Sequence, residues 1–258
     1  MKYVGGKQLI GKEISELIVK VISPKKVKGY IEPFIGGLGV FQHMCQNPFK
    51  VIIGSDVQED LIMLWKEIQS NTFTVPRKVS ESLFNKLKSS KEHSALRAFI
   101  GFGMSFGGDF FAGYIQKYSG TSGRNFYKEL LNFYKKISPI LKKETIKFLN
   151  KSYEYFSKKS GYVIYCDPPY SNTTGYKTGS FDNEKFWNTM RKMSKNNYVF
   201  ISEENAPNDF VSIWSKSKFR SLTPSKTFHS SEYLFVKKNS LAHINYKTNC
   251  KHNLKKQI

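Results

Sequence analysis

Residues 165 to 170 read Tyr-Cys-Asp-Pro-Pro-Tyr, and they close a short apolar run, "GYVIYC", that has the composition of a buried strand. Asp167 is an acceptor able to take a hydrogen bond from an exocyclic amine. Pro168 and Pro169 stiffen the turn, remove backbone donors and leave carbonyl acceptors in fixed directions. Tyr170 adds a flat face on which an extruded base could stack. A plain turn with Asp167 capping a helix is the competing account of the triplet in isolation. Two further stretches bear on the choice. In "YIEPFIGGLGVF" (30 to 41) a strand ends at Glu32, and Gly36, Gly37 and Gly39 permit a tight turn whose backbone can approach a ligand closely. In "VIIGSDVQEDLI" Asp56 lies just past the next strand, where it could accept from a ribose diol, cap the following helix, or do both.

Such residues need a frame that brings strand ends together. Four runs rich in β-branched and aromatic residues predict parallel strands at 28 to 32, 50 to 54, 161 to 166 and 197 to 202. Helical patterns follow at 7 to 22, 58 to 69, 184 to 195 and 207 to 216, the last with Pro207 near its first turn. Strand, loop and helix in repetition predict an α/β fold with a Rossmann-like, doubly wound, mostly parallel sheet whose ligands sit at the carboxyl ends of the strands. The alternating stretch "FRSLTPSKTFHSSEYLFVKK" predicts an antiparallel hairpin at the sheet edge. More than a hundred residues separate the second and third strands, too many for one crossover, so an inserted, mainly helical subdomain is expected at roughly 72 to 155. The remainder, 1 to 71 and 156 to 237, forms a discontinuous catalytic domain, and 238 to 258 a basic tail.

Charge points to the partner. The 258 residues carry 41 Lys and Arg against 20 Asp and Glu, a formal net charge of +21. An excess of that size suits a polyanion, because clustered Lys and Arg displace the counterions condensed on phosphate backbones. Between Ala112 and Ser160 eleven Lys or Arg face three acids, interleaved with Tyr and Phe, a pattern that suits a nucleic-acid surface or the solvated face of a helical bundle. Cys45, Cys166 and Cys250 form no CxxC pair and have no histidine at ligand spacing, which argues against a disulfide framework and a zinc site and for a reducing, intracellular setting. No signal peptide or membrane-spanning run is apparent, so a soluble protein is expected.

In number and order, several motifs resemble the Dam-like, D12-class DNA adenine-N6 methyltransferases. They are "KYVGGK" (2 to 7), "EPFIGGLGVF" (32 to 41), Asp56 in "GSD", "FIGFGMSFGG" (99 to 108), "YCDPPY" (165 to 170), "FDNEKFW" (181 to 187), "SEENAP" (202 to 207) and "SEYLFV" (231 to 236). The glycine motif precedes the insertion and the Asp-Pro-Pro-Tyr motif follows it, which is similar to the α group, with the insertion as target recognition domain. The resemblance implies S-adenosylmethionine as cofactor, bound by Tyr3, Lys7, Phe34, Gly36, Gly37, Gly39, Asp56 and Asp167. It implies catalysis by Asp167, Pro168, Pro169 and Tyr170 on an adenine flipped from double-stranded DNA, without a metal. Lys2 matches a position that approaches DNA in relatives, and Arg124 and Asn125 are candidates for reading bases. A monomer or weak dimer is expected, alone or as the modification half of a restriction system. Methylation of cytosine N4, RNA or a protein amide, and a catalytically inactive DNA-binding relative, are the alternatives.

Overall fold

The computed structural model describes residues 1–115, 125–169, 181–223 and 226–244, with side chains for all of these except 218–223 and 226–230. In chain order the elements are α1 (Gly11–Val21), β1 (Gly29–Glu32), α2 (Phe41–Met44), β2 (Ile52–Ser55), α3 (Glu59–Ser70), α4 (Glu81–Ser89), α5 (Ala95–Gly103), α6 (Phe126–Leu141), β3 (Ile146–Leu149), β4 (Tyr162–Cys166), α7 (Asn183–Met193), β5 (Tyr198–Glu203), β6 (Phe210–Thr223) and β7 (Lys226–Lys237). One seven-stranded sheet has the order β3-β2-β1-β4-β5-β7-β6. β3 through β5 are parallel, while β7 runs antiparallel to β5 and β6 antiparallel to β7. From β1 the chain winds outward to β2 and β3, then returns to β4 and winds the other way. The crevice outside the carboxyl ends of β1 and β4 is therefore the switch point of the sheet, the place where open α/β folds bind ligands.

Alternation along each strand assigns the two faces. Tyr30, Ile52, Val163, Tyr165 and Phe200 point into a core shared with α1, α2, α3, α5 and α6, and Ile31, Ile53, Ile164, Cys166 and Ile201 into one shared with α7 and the turn at Tyr153–Phe156. Local sequence starts the helices cleanly. Ser80, Ser94, Asn125 and Asp182 each accept a hydrogen bond from a backbone N–H in the first turn of α4, α5, α6 and α7. α3 ends on Asn71 in the left-handed conformation, φ 62°. Gly11 opens α1 where a Cβ would lie 2.1 Å from the Gly39 carbonyl oxygen, so only glycine lets α1 approach the loop after β1 this closely.

The four expected parallel strands and the edge hairpin are present. Two features differ from expectation. Residues 207 to 216, read as a helix from Pro207, instead turn at Pro207, whose carbonyl accepts from Phe210 N at 2.9 Å, and enter β6. Val211, Ile213 and Trp214 are strand formers, and β7 supplies backbone partners from Phe210 onward, with a bulge between Ser212 and Trp214. Within the stretch 72 to 155, Ile146–Leu149 forms β3, which pairs in parallel with β2 and belongs to the sheet. The helical residues before it share the sheet's core, since Phe99, Ile100 and Leu130 lie in the cluster that holds Trp65 and Tyr30. A buried polar joint adds to this contact: Asp60 on α3 accepts from Ser94 N at 2.6 Å and lies 3.9 Å from Arg97 Nε on α5.

Candidate active site

The end of β1, the glycine loop and the first eight residues form one unit. Tyr3 packs its ring on Gly36, where φ is 39° and a Cβ would lie 2.7 Å from the ring. At Gly37 a Cβ would meet Tyr3 Cβ at 2.7 Å, and at Gly39 it would meet the Lys7 backbone nitrogen at 2.8 Å. The glycine spelling is thus explained first by the close approach of the chain's own N-terminal segment. Tyr3 is held from the far side by Phe102, ring centroids 5.0 Å apart.

Asp56, just beyond β2, clamps the other side of the loop. Its Oδ2 accepts from Gly36 N and its Oδ1 from Gln58 N, both at 3.0 Å. Burial raises its pKa, and these backbone donors oppose that rise. Asp56 is not the cap of α3, whose N-cap is Gln58: its carboxylate holds the turn just before the helix and fixes the glycine loop. Phe34 stacks on Tyr153 at 5.5 Å with an interplanar angle of 24°, and Phe181 and Phe186 complete an aromatic group beside the loop.

Asp167 follows β4 at the switch point. Lys7 is 3% exposed, and its Nζ donates to Asp167 Oδ1 at 2.6 Å and to the Gly5 carbonyl at 3.1 Å, with Glu232 Oε1 at 3.6 Å. The lysine expected to contact cofactor thus points at the carboxylate expected to hold the target amine. Pro168 is buried and Pro169 half-buried behind it. Tyr170 and Arg124 lie outside the described residues.

Three carboxylates that the motif reading left without roles line the same region. Glu32 ends β1, accepts from the Tyr30 hydroxyl, and has its pKa pushed well up by burial and by Asp167. Glu203 ends β5, 4% exposed, and its pKa is pushed up to about 7, chiefly by burial and then by Asp167, Glu204 and Glu232, against a lowering hydrogen bond from Glu204 N. Glu232 sits on β7, 1% exposed. The available signal was position: each acid ends or interrupts an apolar strand, where a charge has to be explained.

Of the expected DNA residues, Lys2 and Asn125 lie at α6. Lys2 lies 3.6 Å above the Phe126 ring and 3.4 Å from Glu129 Oε2, so it is held against α6. These residues, with Tyr3, Gln8 and Phe133, line a cavity of about 310 Å³. Asn125 is exposed and caps α6 through Lys128 N at 2.9 Å. Among the described residues no cluster of three or more His, Cys, Asp or Glu could hold a metal ion, and no helix is long and apolar enough to cross a membrane.

A family model described as D12 class N6 adenine-specific DNA methyltransferase matches residues 3–100 and 109–234. Over 72 residues, 28% of this chain, the sequence is 38% identical to the Type II methyltransferase M.MjaIII of Methanocaldococcus jannaschii, and the matched stretch spans only 25% of that relative. Similar solved structures include PH1948 of Pyrococcus horikoshii, a candidate RNA methyltransferase, with TM-score 0.40, 9% identity and coverage of 88% and 82% of the two chains. Another is precorrin 8W decarboxylase of Methanobacterium thermoautotrophicum, with TM-score 0.37, 7% identity and coverage of 87% and 89%. Likenesses this distant bear on neither substrate nor mechanism.

Proposed function

The chain belongs to the D12 class N6 adenine-specific DNA methyltransferase family, and we propose that it transfers a methyl group from S-adenosylmethionine to the N6 amino group of an adenine flipped out of double-stranded DNA. The observation that carries this reading is Asp167 at the sheet's switch point, with Lys7 at 2.6 Å and the clamped glycine loop beside it. The residues present fit the cofactor. Its sulfonium and ammonium are cationic, and Asp167 borders the crevice with Lys7 as its counter-charge. Asp56 and the Phe34 aromatic group, beside the glycine loop, suit a ribose and a purine.

When bound, S-adenosylmethionine supplies a methyl carbon already activated by the sulfonium. What the chain must supply is alignment and a usable nucleophile. The lone pair of the adenine amine is delocalised into the ring until the nitrogen pyramidalises. Asp167 and the Pro168 carbonyl accept its hydrogens, favour that geometry, and stabilise the positive charge that develops on N6. In-line alignment contributes as well, with effective molarities of roughly 10⁵ M or more in favourable cases. Flipping costs a few kcal/mol, and stacking on Tyr170, on the order of 1–3 kcal/mol, offsets much of it. The insertion expected at 72 to 155, with Lys2, Arg124 and Asn125, is the surface assigned to DNA.

The test is incubation with labelled cofactor and DNA, followed by digestion and mass spectrometry. N6-methyladenine is expected, lost in Asp167→Ala and made with lower turnover by Tyr170→Ala. Methylated cytosine or RNA alone, or no product, overturns the reading, and an unchanged Tyr170→Ala rate at saturating DNA removes the stacking role.

A further inference from the structure

Glu232 is an unusual place to put a charge. It projects from β7 on the same face as Leu234 and Val236, which are 0% and 1% exposed and belong to the main core. A carboxylate on such a face needs a counter-charge, because desolvation of an unpaired ion costs several kcal/mol. Lys7 supplies it at 3.6 Å, yet the same ammonium donates to Asp167 at 2.6 Å. One buried lysine therefore serves two carboxylates from different strands, and the three groups carry a formal net charge of −1. We propose that Glu232 is a positioning residue for methyl transfer: it holds the Lys7 ammonium from the β7 side and keeps part of that charge off Asp167, so that Asp167 remains a strong acceptor for the target amine.

The consequence is electrostatic. If Glu232 loses its charge, Asp167 is the carboxylate left on Lys7, the trio becomes formally neutral, and the positive charge developing on N6 is less well stabilised. The cost falls on the transition state, so kcat drops while ground-state binding of DNA and cofactor changes little. Direct loss of a transition-state donor costs about 10²–10³-fold in kcat, so one step removed we expect roughly tenfold.

The inference rests on Asp167 being the acceptor of the adenine amine, and the experiment separates the two. Steady-state transfer to DNA is measured for wild type, Glu232→Gln, Glu232→Asp, Lys7→Met and the double variant Lys7→Met/Glu232→Gln, with circular dichroism as the check of fold. Glu232→Gln should lower kcat about tenfold with both KM values within about threefold, and Glu232→Asp, which keeps the charge, should recover part of the loss. Because Glu232 acts through Lys7, adding Glu232→Gln to Lys7→Met should cost no further activity. Wild-type kcat in Glu232→Gln, equal losses in kcat for Glu232→Gln and Glu232→Asp, or multiplying losses in the double variant overturn this inference alone. Absence of N6 transfer by the wild type overturns the functional reading and this inference with it.

Discussion

Replacing Glu203 by glutamine removes a carboxyl group that the fold prefers neutral. In the native chain its pKa is pushed from the ordinary 4.5 to about 7, chiefly because Glu203 is buried at the end of β5. A pKa raised on folding means that the neutral form is favoured by the native state. Its contribution to stability is present in full below about pH 4.5 and is lost as pH rises through about 7. At about 1.4 kcal/mol per unit, a rise of this size removes on the order of 3 kcal/mol between pH 4.5 and pH 8. Glu203 is only 4% exposed, so solvent screening reduces this little. Glutamine keeps an acceptor for the Glu204 N–H, which Glu203 now engages at 2.7 Å, and cannot ionise. Urea unfolding followed by circular dichroism at pH 5 and pH 8 makes the comparison. Wild type should lose on the order of 3 kcal/mol more than Glu203→Gln across that interval, and the variant should be the more stable protein at pH 8. Glu32 and Asp56, whose pKa values are also raised, are common to both proteins and drop out of the difference. Parallel pH dependence in the two proteins would refute the assignment of Glu203 as a buried acid held neutral.

Gly39→Ala places a Cβ 2.8 Å from the Lys7 nitrogen and 3.0 Å from its Cα, all backbone, so the N-terminal segment must lift off the glycine loop; calorimetric titration should find weaker S-adenosylmethionine binding, with a stability cost of about 1–3 kcal/mol. Asp56→Asn leaves one acceptor oxygen for the two donors Gly36 N and Gln58 N, and a thermal melt should register roughly 1–3 kcal/mol of destabilisation. Ser94→Ala removes the acceptor that Arg97 N uses at 3.2 Å at the start of α5, and denaturant unfolding should record a loss of about 1 kcal/mol.

The fold was legible where a single period dominated. The runs that became β1, β2, β4 and β5 are short, apolar and β-branched, and turns bracket them. β3 was hidden because Ile146–Leu149 is four residues long, carries an exposed lysine at position 147, and follows a lysine-rich helix. At 207 to 216 the helix-start signal of Pro207 is overridden by the strand formers behind it, whose partner strand lies farther along the chain. In the site, Asp167, Asp56 and the glycines announced themselves through residue type and order. The glycine spelling predicts space for a ligand, while the structure fills much of that space with Tyr3 and Lys7. Glu32, Glu203 and Glu232 carry little signal in one dimension because their meaning lies in being buried near one another, and only strand pairing brings Glu32, Asp167, Glu203 and Glu232 to one end of the sheet. The sharing of Lys7 between two acids is invisible in one dimension for the same reason.

The ion pair between Lys7 and Asp167 also fixes an order of events in biosynthesis. Chains emerge from the ribosome amino end first, so the lysine is made early and its two carboxylates late, on β4's far end and on β7. Until Asp167 has emerged, docking Lys7 in its native position would bury an ammonium without its closest carboxylate, at a cost of several kcal/mol. The N-terminal segment should therefore stay undocked, and the glycine loop uncovered, until β4 and Asp167 have been made. The site at the switch point is thus closed from both ends of the described chain, by Lys7 near its start and by Asp167 and then Glu232 far along it.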